Sequence, residues 1–228
     1  MIGSKPDVAT LVNRMPDADN PGKPSKFTGP TRDAAKSIVA QILAEGRESL
    51  LELIGMIRDA NGFGEENYKP GYVLHCIATH VGRPGNDEQR RLFAETLASR
   101  LGSSGAPKGI QGYLVRELQV AGGREVAETL GKLLPDDELC EYAAQALVAI
   151  GDAGAAQLRS ALPTAKGKNR VTVVQALGAV RDAGSVVALK KVLEEEDRDV
   201  RMAAAWSLAR GADPGAEPRR WSVPRTAQ

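Results

Sequence analysis

The chain has 228 residues, 42% of them apolar and 26% charged, with a net charge of +1; this fits a globular chain with a real core and argues against a dedicated nucleic-acid binder, whose domain is usually strongly basic. Aromatic residues make up only 4%, so the core is expected to be aliphatic, which favours helices packed through small side chains over a β-sandwich. Two cysteines, Cys76 and Cys140, cannot form a disulfide framework and point to a reducing compartment; no apolar run nears the ~18 residues of a membrane span and no signal-peptide core precedes Arg14, so a cytoplasmic location is expected.

Five of the 13 prolines (Pro6, Pro16, Pro21, Pro24 and Pro30) fall in residues 1–30. Each removes an amide donor and disfavours helix at the residue before it, so 1–30 reads as an extended arm or linker. From Thr31, a fitting N-cap, TRDAAKSIVAQILAEG places Ala35, Ile38 and Ile42 at helical spacing. RESLLELIGMIRDANG continues with Leu50, Leu51, Ile54 and Ile57 and stops at Asn61–Gly62, and GFGEENYKPG reads as a loop before the apolar helix YVLHCIATHVG. Asn86 then reads as the cap of DEQRRLFAETLASRLG, with Leu92, Phe93, Leu97 and Leu101 as its buried stripe. Residues 31–106 are thus irregular helical pairs, diverged repeats or a cap. The tail, 216–228, reads as irregular and basic, with Arg219 and Arg220 beside Trp221.

Residues 107–215 repeat. LVRELQVAGG, AAQALVAIGDAG, VVQALGAVRDAG and AAWSLARGADPG align Leu118, Leu147, Leu177 and Leu208 at intervals of 29, 30 and 31, and Gly123, Gly154, Gly184 and Gly215 at 31, 30 and 31. A second helix follows each turn, with Leu130, Leu158 and Leu189 in one column and Leu134, Leu162 and Leu193 in another. A helical pair of this size cannot bury its apolar stripe alone, so the pairs are expected to stack into a continuous solenoid. Runs such as Ala143, Ala144 and Ala146 let first helices approach closely, and the aligned glycines are expected to take the positive-φ position that ends one helix. The fold class is all-α, an α-solenoid of about five antiparallel pairs, with about ten helices over residues 31–210 and no sheet.

The unit DRDVRMAAAWSLARGADPG resembles the short bacterial HEAT repeat, the type first associated with phycobilin lyases. The resemblance implies a structural ladder in which the Arg of each Val-Arg position bonds along the solenoid to the Asp of an inter-helix turn. On this chain the Arg positions are Arg170 and Arg201 and the turn positions are Asp152, Asp182 and Asp213; Cys140 and Gln111 stand where Arg would be in the earlier repeats. It also implies second helices on the concave face. There Lys132, Arg159, Lys190 and Lys191 would form a basic stripe able to hold an acidic partner or phosphates, although Glu125, Glu128 and Glu194 share those helices.

The metal candidates are His75, Cys76 and His80 on one short helix, where Cys76 and His80 share a face. Against them, a free cysteine packs as a small hydrophobe and the helix is apolar, so packing is the simpler reading. The acidic residues Asp136, Asp137, Glu141 and Asp197 near helix starts read as caps and dipole partners rather than catalysts. No catalytic triad, nucleotide loop or cofactor motif is read. The sequence therefore points to a non-enzymatic HEAT-repeat scaffold whose partner is another protein. The alternatives are a nucleic-acid-binding chain with the architecture of alkylpurine DNA glycosylases and a phycobilin-lyase-like accessory. Tyr113, Tyr142 and Trp206 fall on first helices, away from the concave side the glycosylase-like alternative needs.

Overall fold

The structure, a computed structural model, describes residues 6–15, 32–58, 68–103 and 105–212. Among them are twelve α-helices, two short 3-10 turns and no strand. The first layer stacks α2 (Arg32–Ala44), α4 (Tyr68–Val81), α6 (Lys108–Ala121), α8 (Cys140–Ile150), α10 (Gly167–Val180) and α12 (Arg198–Ala212), each against the next. The second layer holds α3 (Arg47–Gly55), α5 (Asp87–Ala98), α7 (Ala127–Gly131), α9 (Asp152–Ala161) and α11 (Val186–Val192). The turns Arg124–Val126 and Ala183–Ser185 lead into α7 and α11. The result is an all-α solenoid.

One aliphatic core runs between the layers, from Ile42 and Leu53 through Leu97, Leu114 and Leu147 to Leu177 and Val200. Burying each such side chain is worth roughly 1.5–3 kcal/mol, and every interior helix shares its stripe with two neighbours. Small residues set the spacing in the first layer. The Tyr142 ring lies against Gly112, and Ser207 lies so close to Gly178 that a Cβ there would stand 2.4 Å from its side chain.

Several sequence expectations change. Within the segment read as an extended arm, Val8–Asn13 forms α1, which packs on α2, α3 and α4. Pro6 and Pro16 bracket this stretch without entering it; the Asp7 carboxylate accepts from the Thr10 amide at 2.7 Å, and Val8, Leu11, Val12 and Met15 are buried. α4 starts at Tyr68, through the Tyr68–Gly71 stretch read as loop, because a proline in a first turn lacks an amide that would have no helical partner anyway. α3 ends at Gly55; the expected stop at Asn61–Gly62 and the Thr31 cap lie outside the described residues. Asn86 precedes α5 but its side chain caps nothing there; its Nδ2 donates instead to the His80 carbonyl at 2.9 Å, closing the end of α4.

The repeat glycines also act differently. Positive φ falls three residues before the aligned Gly154 and Gly184, at Gly151 (φ 81°) and at Arg181 (φ 52°). Gly154 is needed for close approach, since a Cβ there would stand 1.9 Å from the Leu147 carbonyl oxygen.

Candidate interaction surface

Arg170 and Arg201 do not make the expected ladder bonds to Asp152 and Asp182. Arg170 donates from Nε to Glu195 at 2.7 Å and from Nη1 to the Leu162 and Ala165 carbonyls, rather than to Asp152. Arg201 donates to the Glu195 and Glu196 carbonyls at 2.8 and 2.6 Å rather than to Asp182. Both arginines therefore satisfy the open carbonyls that follow the preceding second helix, groups that otherwise lack a partner. Gln111 does the same in the first unit: Nε2 donates to the Gly102 and Ala106 carbonyls at 2.9 and 2.6 Å, and Oε1 accepts the Gly102 amide. A residue read as a gap in the motif thus performs the motif's work with a neutral amide. Cys140, in the same column, is buried, and burial pushes its thiol up to about 11. Asp213 lies outside the described residues.

Repeat-to-repeat bridges come from the second helices. Arg159 on α9 pairs with Asp182 in the next turn, where Ser185 Oγ also donates at 2.7 Å. Burial would raise the Asp182 carboxyl, but the bonds from Ser185 and Arg159 outweigh it and hold its pKa below the ordinary value. Arg90 on α5 makes the equivalent bridge to Glu125 at 2.6 Å. Sequence reading missed this pair because its register falls outside the regular repeats.

The acidic residues at helix starts divide. Asp136 accepts the Glu138 and Leu139 amides at 3.0 and 3.1 Å, and Asp197 accepts those of Asp199 and Val200 at 2.9 and 3.1 Å, so both cap. Asp137 instead accepts from Asn169 on α10 at 2.9 Å, tying one repeat to the next.

These bonds reshape the basic stripe. Lys132 pairs along its own helix with Glu128 at 2.8 Å, and Arg159 is committed to Asp182. Lys190 and Lys191 stand exposed on α11. α9 and α11 hardly touch, and between them opens a cleft of about 420 Å³. Leu162, Val187, Ala188 and Val192 give it an apolar floor, while Arg170, Glu195 and Lys191 stand at its polar edge. Val187, 67% exposed, and the neighbouring Val186 and Leu193 add apolar surface beside it.

The three metal candidates all lie on α4. His75 Nδ1 lies 3.0 Å from the buried Glu117 carboxylate on α6, and this bond raises the histidine's pKa against the opposing pull of burial. The Cys76 thiol is raised chiefly by burial and hydrogen-bonds Tyr72. His80 lies in the last turn of α4. Among the described residues no group of three or more His, Cys, Asp and Glu is placed to hold a metal ion. Of the three first-helix aromatics, Tyr113 is buried with its hydroxyl donating to the Gly71 carbonyl at 2.6 Å. Tyr142 and Trp206 are exposed. Arg116 lies over both tyrosine rings, 5.5 and 5.9 Å from their centroids.

Residues 156–218 match the family of HEAT repeats. No curated protein matches the chain. Among solved structures, the chain is similar to the designed armadillo repeat protein YIII(Dq)4CqI, at 19% identity and a TM-score of 0.35, over 90% of this chain and 99% of that one. No helix among the described residues is long and apolar enough to cross a membrane.

Proposed function

We propose that the chain is a non-enzymatic scaffold of HEAT type that binds a protein partner through its second-helix surface. The observation that carries this reading is the α9–α11 cleft, an open apolar floor edged by Lys191 and the Arg170–Glu195 pair. Its exposed Val187, beside Val186 and Leu193, is the kind of apolar surface that a protein side chain covers. The stripe offers a phosphate backbone little, since Lys132 and Arg159 already have carboxylate partners. A chromophore-handling role of the phycobilin-lyase type rests on the repeat resemblance alone and has less support.

A photo-crosslinker at Val187 tests the reading, with one at Glu88 on α5 as the comparison. A protein crosslinked at Val187 and lost on Lys191→Glu is expected. The nucleic-acid alternative is measured with Lys132→Gln, Lys190→Gln and Lys191→Gln combined, sparing Arg159 because it bridges two repeats. Duplex DNA affinity near physiological salt is expected no tighter than the nonspecific range of about 10⁻⁴–10⁻⁶ M. A submicromolar, salt-sensitive complex abolished by the three substitutions would overturn the scaffold reading.

A further inference from the structure

α12 carries an apolar stripe that no part of the described chain covers. Met202, Ala205, Trp206 and Ala209 follow one another at helical spacing on one face, and all are exposed, Met202 by 48% and Trp206 by 68%. In register, Met202 and Ala205 correspond to Val171 and Val174 of α10. There Val174 is fully buried and its carbonyl accepts from Ser207 Oγ of α12 at 3.0 Å. Ala144, the α8 equivalent, is 2% exposed beneath α10. Ala205 and Ala209 thus hold the positions (Val174 and Gly178) by which α10 receives α12, while Trp206, aligned with the exposed Gln175, widens the bare stripe to one side.

We infer that this face pairs with the same face of a second copy, two α12 helices packing antiparallel about a two-fold axis between Ala205 and Trp206. The order of residues is what selects a second copy. Reversed about that axis, the stripe sets Met202 of one copy over Ala209 of the other, large against small, in both halves of the interface. Helical geometry puts the two Trp206 rings together on one side of the axis and the two Ala205 methyls together on the other. The charges agree with the same register. Asp199 in the first turn and Arg210 in the last are exposed on the Trp206 side. An antiparallel pair brings each Asp199 opposite the other copy's Arg210 twice over, whereas a parallel pair would set like charges together. Such an interface is isologous and closes at two copies, leaving the α9–α11 cleft free.

Sedimentation velocity over a concentration series tests this with the full chain. One helix pair covers less than the ~800 Å² per partner of a standard interface, so a reversible dimer with a dissociation constant on the order of 10–100 μM is expected. Trp206→Glu should abolish it. Asp199→Arg should weaken it about tenfold, and the exchange Asp199→Arg with Arg210→Asp should restore it, because the pair is re-formed with signs swapped. Mild oxidation should crosslink Ala205→Cys into a covalent dimer, since the two-fold places those Cα atoms within the ~4.4–6.8 Å a disulfide spans. The exposed Val187→Cys serves as the control. A chain that stays monomeric throughout the series, or a dimer indifferent to Trp206→Glu and to the charge exchange, would overturn the assignment.

Discussion

At one end of the described stack, α1 lays Val8, Leu11, Val12 and Met15 against α2, α3 and α4; at the other, α12 leaves Met202, Ala205, Trp206 and Ala209 in solvent. The two stripes have the same spacing, with positions one, four, five and eight apolar in each. One is core and the other is surface. Apolar periodicity therefore dictates that a helix has a face to bury, while what covers that face is decided by the chain or partner that arrives. In a solenoid each repeat touches only its neighbours, so the two outermost faces are where this question stays open.

Truncation of one residue in each stripe exposes the contrast most sharply. Leu11→Ala, removing a side chain only 2% exposed, should cost about 2–5 kcal/mol in denaturant unfolding. Met202→Ala, in solution dilute enough to be monomeric, should stay within about 0.5 kcal/mol of the parent. Equal losses would mean that the two ends are finished alike.

The two ladder arginines extend the comparison from an interior repeat to the end one. Arg170 holds two carbonyls behind it and Glu195 in the next repeat, whereas among the described residues Arg201 holds only the carbonyls behind it. Arg170→Ala should lower stability by about 1.5–3 kcal/mol, the range for charge-assisted bonds, and Arg201→Ala by about half as much. Partner binding below the unfolding midpoint should survive Arg201→Ala. Unchanged stability with lost binding would make Arg201 part of the interaction surface. Gln111→Ala should follow the Arg201 pattern, because it serves carbonyls by the same geometry.

The smallest effect expected is a pH dependence placed in the α4–α6 contact, away from both ends. His75 has its pKa raised by Glu117, so its contribution is fully present below the unfolded histidine value of about 6.5 and is lost as pH rises through the higher folded value. With the ring about half exposed, solvent screening limits the loss to under about 1 kcal/mol. His75→Gln should flatten the slope of stability as pH rises above about 6.5; an unchanged slope would place the titration elsewhere.

The repeat period, the aliphatic columns and the small residues between first helices were legible in the sequence because each is a local pattern repeated in register. α1 was hidden by flanking prolines, since its four apolar residues stand alone and only α2, α3 and α4 give them something to bury against. Gln111 looked like a break in the motif for a related reason. The motif is written in residue types, but the structural need is a donor aimed at open carbonyls, and an amide meets it as well as a guanidinium.

The site divides along the same line. Sequence by itself determined that Lys132, Arg159, Lys190 and Lys191 lie on second helices, because register is a one-dimensional property. Only tertiary structure decided that Arg159 and Lys132 are spent on carboxylates while α9 and α11 part over Leu162 and Val192 and leave Val187 exposed. Pairing and cleft width depend on how far neighbouring helices stand apart, and that distance is set by packing across the whole stack rather than by any one repeat.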